Sequence, residues 1–490
     1  VIVGAVRQSL AVDGAHFFGL KPGSDQPKAE KKIMPQENKM GYMPIPKLVI
    51  TMSLPIIISM LVQALYNIVD SVFVSYYDPD ALTAISLVFS VQNLMIGVAT
   101  GTGVGVNALL SRALGQKNRE RASKIGENGV FLALVGYAIF LLFAVFGAKP
   151  FMHMMTSDRS VYDYGVAYTQ ICCGLSFGVF EQIMFERLMQ ATGRTFYTMI
   201  TQGMGAIINI VLDPLFIFDK VPVLGISGLG LGAAGAAWAT VIGQIAAFIL
   251  GAVINHFKNP DIRLSIKGFR PDIKMIGSIY AIGVPSIIMV AIGSIMTTCM
   301  NMILGVFGAL RNIAINVFGV YFKLQSFVFM PIFGLNNGII PIISFNFGAQ
   351  KRRRMLSTVK CGMCVATFFM LLGLALMQFI PEVLLGIFNA DADMIRIGTP
   401  ALRIISIGFP LAGISIVLGS VFQSLGKSVM SMFVSFARQI VVLIPVAFVL
   451  SKIEPSLVWW AFPVAEAASL AVSIFCYGKV YRTTIKEIAE

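Results

Sequence analysis

A chain of 490 residues that is 57% hydrophobic and only 12% charged cannot bury its apolar surface inside a water-soluble globule, so the sequence is that of a membrane protein. The formal charge of +13 does not indicate a nucleic-acid partner, because the basic residues gather in alternate connections between long apolar runs.

In chain order, residues 1–42 come first. They lack the apolar core and cleavage site of a signal peptide and do not share the later periodicity, so they are set apart as a disordered tail or a non-native extension, with Met34, Met40 and Met43 each a candidate start. Twelve apolar runs follow, at about 48–76, 82–110, 128–148, 163–188, 196–218, 231–255, 277–306, 312–344, 358–380, 397–423, 429–451 and 457–478. Each approaches the roughly 20 residues a spanning helix needs, and all are too long and continuous for the short alternating strands of an outer-membrane barrel. The expected fold is therefore all-α and integral to the membrane.

One set of connections holds Arg112, Lys117, Arg119, Arg121, Lys124, then Lys258, Arg263, Lys267, Arg270, Lys274, then Lys351 to Arg354; the other set is poor in Lys and Arg. By the positive-inside rule the rich set is cytoplasmic, which places both termini in the cytoplasm and requires an even number of spans.

The two halves repeat. LLSRALGQKNRERA (Leu109 to Ala122) aligns with IISFNFGAQKRRRM (Ile342 to Met355), 233 positions on, and the same offset pairs QATGR (Gln190 to Arg194) with QSLGK (Gln423 to Lys427). An offset of that size covers six helices, so the repeat is parallel and predicts two pseudo-symmetric six-helix lobes around a central cleft, the usual build of secondary transporters. The expected domains are an N-lobe over 43–255, a cytoplasmic linker over 256–274 and a C-lobe over 275–490.

Against this apolar background, NIVDSVFVSYY (Asn67 to Tyr77) carries one acid, Asp70, and INIVLDPLFIF carries Asn209 and Asp213. A charged Asp at a span centre costs roughly 2.5 to 3.5 kcal/mol on insertion scales, so such a residue needs a reason. Asn67 and Asp70 are three apart, Asn209 and Asp213 four apart, and each pair shares a helix face. Pro214 cannot donate to the carbonyl one turn earlier. Two readings stand: the aspartates sit hydrated and idle at the headgroup level, or they face each other within one lobe. In the second, two carboxylates in a partly desolvated pocket cannot both stay ionised cheaply, and the pair binds a proton or Na⁺ reversibly.

NIVDSVFVS, GVGVNALLSRALG (Gly103 to Gly115), QATGR, NIVLDPLFIF and AGAAWAT (Ala234 to Thr240) together resemble the multidrug and toxic compound extrusion (MATE) family, over a length from about Gly41 to the C-terminus. The resemblance implies two lobes forming a V-shaped cleft and export of amphipathic, often cationic compounds in exchange for H⁺ or Na⁺ across the cytoplasmic (inner) membrane. It is nearest to members with the ion site in the N-terminal lobe, whose residues match Asp70, Asn209, Asp213 and Thr240 here, with a backbone carbonyl near Ala236 as a further ligand; Na⁺ at those four side chains is one option. The partners implied are amphipathic small molecules and membrane lipids, with no cofactor beyond the coupling ion, no nucleic acid, and a monomer. Opposite Asp70 the repeat, which runs at an offset of 230 in the first helix of each half (SLPIII, Ser53 to Ile58, against GVPSII, Gly283 to Ile288), places Met300, so a C-lobe acidic site is not expected.

Gln92 and Gln325, paired by the repeat, are candidate cleft residues together with Glu181, Lys323 and Arg403. Lys323 either snorkels or lines the cleft; Glu181 either attracts cationic substrates or makes an inter-helix hydrogen bond. Glu186 and Arg187, at a helix end, are expected to pair locally or with lipid headgroups, and Glu466 either to make a structural pair or to partner a C-lobe cation. The CxxC of Cys361 and Cys364 has no second pair or nearby His, and the six cysteines read as buried hydrophobes. A lipid-linked oligosaccharide flippase is the main alternative, an intramembrane enzyme a remote one: there is no HExxH and no recognisable nucleophile and base. Filter-like repeated pore loops of a channel are not seen.

Overall fold

The computed structural model describes residues 38–221, 225–265, 267–388 and 390–488. Residues 1–37, most of the segment set apart above, lie outside the described residues. Its last five, Asn38 to Tyr42, take part in the fold: Met40 is wholly buried, and Asn38 Nδ2 donates to Thr192 O at 2.9 Å.

The helices are α1 (Ile45–Tyr77), α2 (Pro79–Gly115), α3 (Arg119–Met155), α4 (Arg159–Gly174), α5 (Phe177–Ala191), α6 (Thr195–Ile217) and α7 (Ala233–Lys258) in the first half. The second half has α8 (Ile273–Gly308), α9 (Arg311–Gly348), α10 (Arg352–Phe379), α11 (Ala392–Ser406), α12 (Phe409–Ser424), α13 (Ser428–Ile453) and α14 (Pro455–Ile485). Among the described residues ten of these are long and apolar enough to cross a membrane alone, and α11 with α12, bent by 47° at their junction, make an eleventh. Helices α4 and α5 are the counterpart of that broken pair. They fill the twelfth position expected from the sequence, less apolar because they carry Arg159, Asp163, Glu181, Glu186 and Arg187.

The 233-residue offset is written into the backbone. Lys117 and Gln350, after α2 and α9, are among the described residues the non-glycine ones with positive φ, at 58° and 57°. Gly193 and Gly426, after α5 and α12, close left-handed turns at φ 84° and 75°, a conformation glycine adopts without a Cβ clash. Asp158 and Asp391 cap α4 and α11, accepting from the Val161 and Met394 amides three residues on. Ser111 Oγ donates to Ala191 O, and Ser344 Oγ to Ser424 O, both at 3.0 Å.

Between the halves, α2 packs on α8 and α9 on α1. Close approach is allowed by small residues. A Cβ on Gly101 would lie 3.0 Å from Gly283 O, and one on Gly334 would lie 2.9 Å from Ile57 Cα. The contact is concentrated toward the end that carries the basic connections, where nearly every residue from Gly101 to Gly115 and from Gly338 to Gly348 is buried. Toward the other end, Ser71, Val72, Phe89, Phe327 and Lys323 are exposed. The connection from α7 to α8 lies along α3, with the Arg263 and Ser265 amides donating to Ser123 and Glu127 and the Asp272 amide to Asn128.

Candidate cation site

Helices α1, α6 and α7 pack side by side in the first half, and they carry the four side chains singled out in the sequence. Asn209 and Asp213, one turn apart on α6, point the same way because a helix brings i and i+4 onto one face. Asn209 Nδ2 donates to Asp213 Oδ1 at 3.2 Å and to Thr240 Oγ1 of α7 at 3.3 Å. Asp213 is wholly buried, Asn209 is 2% exposed, and Ala236, one turn before Thr240, is buried as well. Asp70 is half-buried with its Oδ1 shielded, on α1, which packs against the α6 that carries Asp213.

Three buried oxygens in this cluster have no donor: Asp70 Oδ1, Asn209 Oδ1 and Asp213 Oδ2. A buried acceptor without a partner costs about 1–3 kcal/mol, more for a carboxylate, so these orphans fit a proton or a small cation that completes them. Pro214 follows Asp213 inside α6 and leaves the Ile210 carbonyl without its usual amide donor.

Other expectations meet a different geometry. Asn67 is exposed on α1 and makes no side-chain bond to the cluster, because three residues turn it about 60° further round the helix toward the surface. Gln92 is tied inside the first half, donating to Tyr168 Oη at 3.2 Å. Glu181 is 2% exposed with neither oxygen bonded, so it presents no charge to a cleft and makes no inter-helix hydrogen bond. Lys323 is exposed and its ammonium stands 5.6 Å from the Phe388 ring. Gln325 is half-buried. Arg403 is exposed and tied to the end of α10, its Nε donating to Gln378 O while Gln378 Nε2 donates to Arg403 O. Glu186 and Arg187 are 4% and 7% exposed, and of the two arrangements expected for them the structure has local pairing rather than headgroup contact. Arg187 Nη1 instead bonds Gln190 and reaches Asn337 of α9 in the other half at 2.8 Å. Glu466 pairs with Arg438 at 3.0 Å.

Beside the cluster lies a polar cavity of about 30 Å³, lined by Gln63, Tyr66, Gln182, Gln202, Asn209, Thr240 and Gln244. Sequence reasoning passed over these glutamines. The signal was present as helical spacing: Gln63, Tyr66 and Asp70 on α1, Gln202, Asn209 and Asp213 on α6, Thr240 and Gln244 on α7.

Spanning helices in two repeated halves among the described residues, with Asp213 buried and Asp70 half-buried in one half, define a membrane transporter of the duplicated type. The family model for MatE matches residues 55–215 and 285–449, and the chain belongs to this family of transporters. It is similar to the multidrug export protein MepA of Staphylococcus aureus (strain MSSA476), 27% identical over 448 residues covering 89% of this chain and 94% of that one. MepA of Staphylococcus saprophyticus is 24% identical over 428 residues, covering 87% and 92%. Among solved structures, an outward-facing conformation of a multidrug resistance MATE family transporter of the MOP superfamily superposes with a TM-score of 0.84 at 21% identity, covering 92% of this chain and 99% of that one.

Proposed function

We propose that this chain exports amphipathic, often cationic drugs and toxic compounds across the cytoplasmic membrane in exchange for H⁺ or Na⁺, by alternating access of two lobes. The observation that carries the reading is the buried group of Asp70, Asn209 and Asp213 oxygens without donors. Binding a cation there removes like-charge repulsion and supplies the missing bonds, which changes the preferred packing of α1 against α6 and α7 and so biases two conformations. The export of several drugs by relatives named for it agrees with this reading.

In this reading the basic connections and both termini face the cytoplasm, the lobes are closed on that side, and substrate leaves through the opposite, open end. The transporter works as a monomer among lipids. A lipid-linked oligosaccharide flippase would need a strongly cationic cavity for pyrophosphate; the polar cavity beside α6 is lined by neutral side chains instead.

The test is efflux of ethidium from vesicles of known orientation after an imposed H⁺ or Na⁺ jump. Wild type should respond to one ion, and Asp70→Asn and Asp213→Asn should lose the response at normal protein levels. Full ion-driven efflux by both variants overturns the assignment.

A further inference from the structure

The helix faces that close the molecule at the basic end can be followed along their own helices to the open end. On α2, Gly105, Gly101 and Gly97 face Ile279, Gly283 and Val290 of α8. Continued at spacings of three and four, which keep to one side of a helix, the α2 line runs through Asn93, Ser90 and Ser86, all exposed. The α8 line continues from Val290 to Ser294 and Thr298, also exposed. Ser53 and Ile57 of α1 face Gly338 and Gly334 of α9. Their lines lead to Asn67 and Ser71 on α1 and to Phe327, Lys323 and Asn316 on α9, again exposed. These stripes do not face lipid. The other exposed strip of α1, Leu54, Leu61, Leu65 and Val72, lies about 100° further round the helix and is wholly apolar, as contact with hydrocarbon requires. The polar stripes therefore wall the cleft between the lobes.

Lys323 differs from its neighbours on these walls in carrying a charge. Among the described residues it makes no ion pair, and neither α8 nor α9 contains an Asp or Glu to balance it. Its ammonium stands 5.6 Å from the Phe388 ring centroid, and one turn away a Cβ on Gly319 would meet no atom within 4 Å, so there is open space beside it. About 18 Å of helix rise separates Lys323 from the start of α9 at Arg311, which is deeper than a lysine stem can snorkel. An unbalanced charge at that depth, on a wall of a cleft, marks a binding role. A purely cationic cargo would find no carboxylate on these walls and one ammonium repelling it. A carboxylate on the cargo instead makes a charge-assisted hydrogen bond to Lys323, while the exposed Phe327 and the Phe388 ring take its apolar part.

We propose that Lys323 anchors cargo in the cleft, and that the cargo it selects is an amphiphile bearing a carboxylate, zwitterions included. The inference rests on the reading of this chain as an exporter and narrows its cargo by charge. It draws on no residue of the cation cluster, so the experiment can separate the two.

The probes are rhodamine B, which has a free carboxylate, and its ethyl ester, the same dye with that group masked. Binding is read by fluorescence anisotropy on the purified full chain in phosphatidylcholine nanodiscs. Wild type should hold rhodamine B about tenfold more tightly than the ester. Lys323→Met should remove that preference by weakening rhodamine B alone, Lys323→Arg should keep it, and Lys323→Glu should reverse it. Because Lys323 is exposed, all three variants should melt as wild type does. A preference that survives Lys323→Met, or an equal loss of both dyes, overturns the anchor. Nanodiscs containing phosphatidylglycerol separate cargo from lipid: a preference that vanishes there assigns the ammonium to a lipid phosphate and overturns the cargo role. Ion-driven efflux of both dyes from vesicles completes the test. Selective binding without ion-driven efflux of either dye overturns the exporter reading and leaves the anchor, whereas efflux of both dyes that ignores Lys323 does the reverse.

Discussion

Gly115 and Gly348, related by the internal repeat, each sit where the opposing helix leaves no room for a side chain: a Cβ on Gly115 would strike Phe345 O, and a Cβ on Gly348 would strike Arg112 O. The two lobes thus touch backbone to backbone at the end of α2 and α9. Because neither backbone can yield as a flexible side chain would, a larger residue at either position acts as a wedge.

The first prediction follows directly. Gly348→Val should hold this end apart, so that a single cysteine placed at Ser111 becomes reactive to a membrane-impermeant maleimide added from the basic-connection side, with export reduced at least tenfold. Gly277→Val, at a position with open space around it, is the control and should leave both unchanged.

Among the described residues Asn209 is the one side-chain donor to Asp213, and it also holds Thr240. Asn209→Leu should therefore cost more than its volume suggests, leaving Asp213 Oδ1 buried and unbonded at a price of about 1–3 kcal/mol. The expected result is a lower melting temperature in detergent together with loss of export. Asn209→Asp should retain folding but change the ion dependence of export.

Lys39 lies outside the spans, and burial, then the charge of Arg194, pushes its ammonium down to about 8 from the ordinary 10.5. With the folded value the lower one, the unfolded chain binds more protons between these two values. Stability contributed by this group therefore rises with pH from about 8 to about 10.5, and below 8 the folded state carries the full penalty. Lys39→Met should raise the melting temperature at pH 7 and flatten its rise between pH 8 and 10.

In the second half, Arg438 and Glu466 form a mostly buried ion pair whose Glu466 Oε2 has no further partner. Glu466→Gln alone leaves the guanidinium without its counter-charge, at a cost of about 3–5 kcal/mol, whereas replacing both by apolar residues of similar volume should be near neutral. A double-mutant cycle on melting temperature in nanodiscs checks this: strong positive coupling is expected, and simple additivity would contradict a pair.

The linear chain determined the number and position of the spanning elements, because an apolar run of about 20 residues has few other stable forms in lipid, where every backbone group must be bonded within its own helix. It also determined the duplication, since the recurring Ser111 and Ser344, Gly193 and Gly426, and Asp158 and Asp391 mark the same helix ends twice. Asp70, Asn209 and Asp213 stood out for the same reason, as polar groups whose desolvation demands a cause. Tertiary structure alone decided what those groups meet. Whether Asn67 or Asp70 turns inward depends on how α1 is rotated against α6, because the two side chains lie only about 60° apart around the helix. That Glu186 meets Gln202, and that Arg187 reaches across to Asn337, follows from which helices are neighbours, and hydropathy carries no information on neighbours.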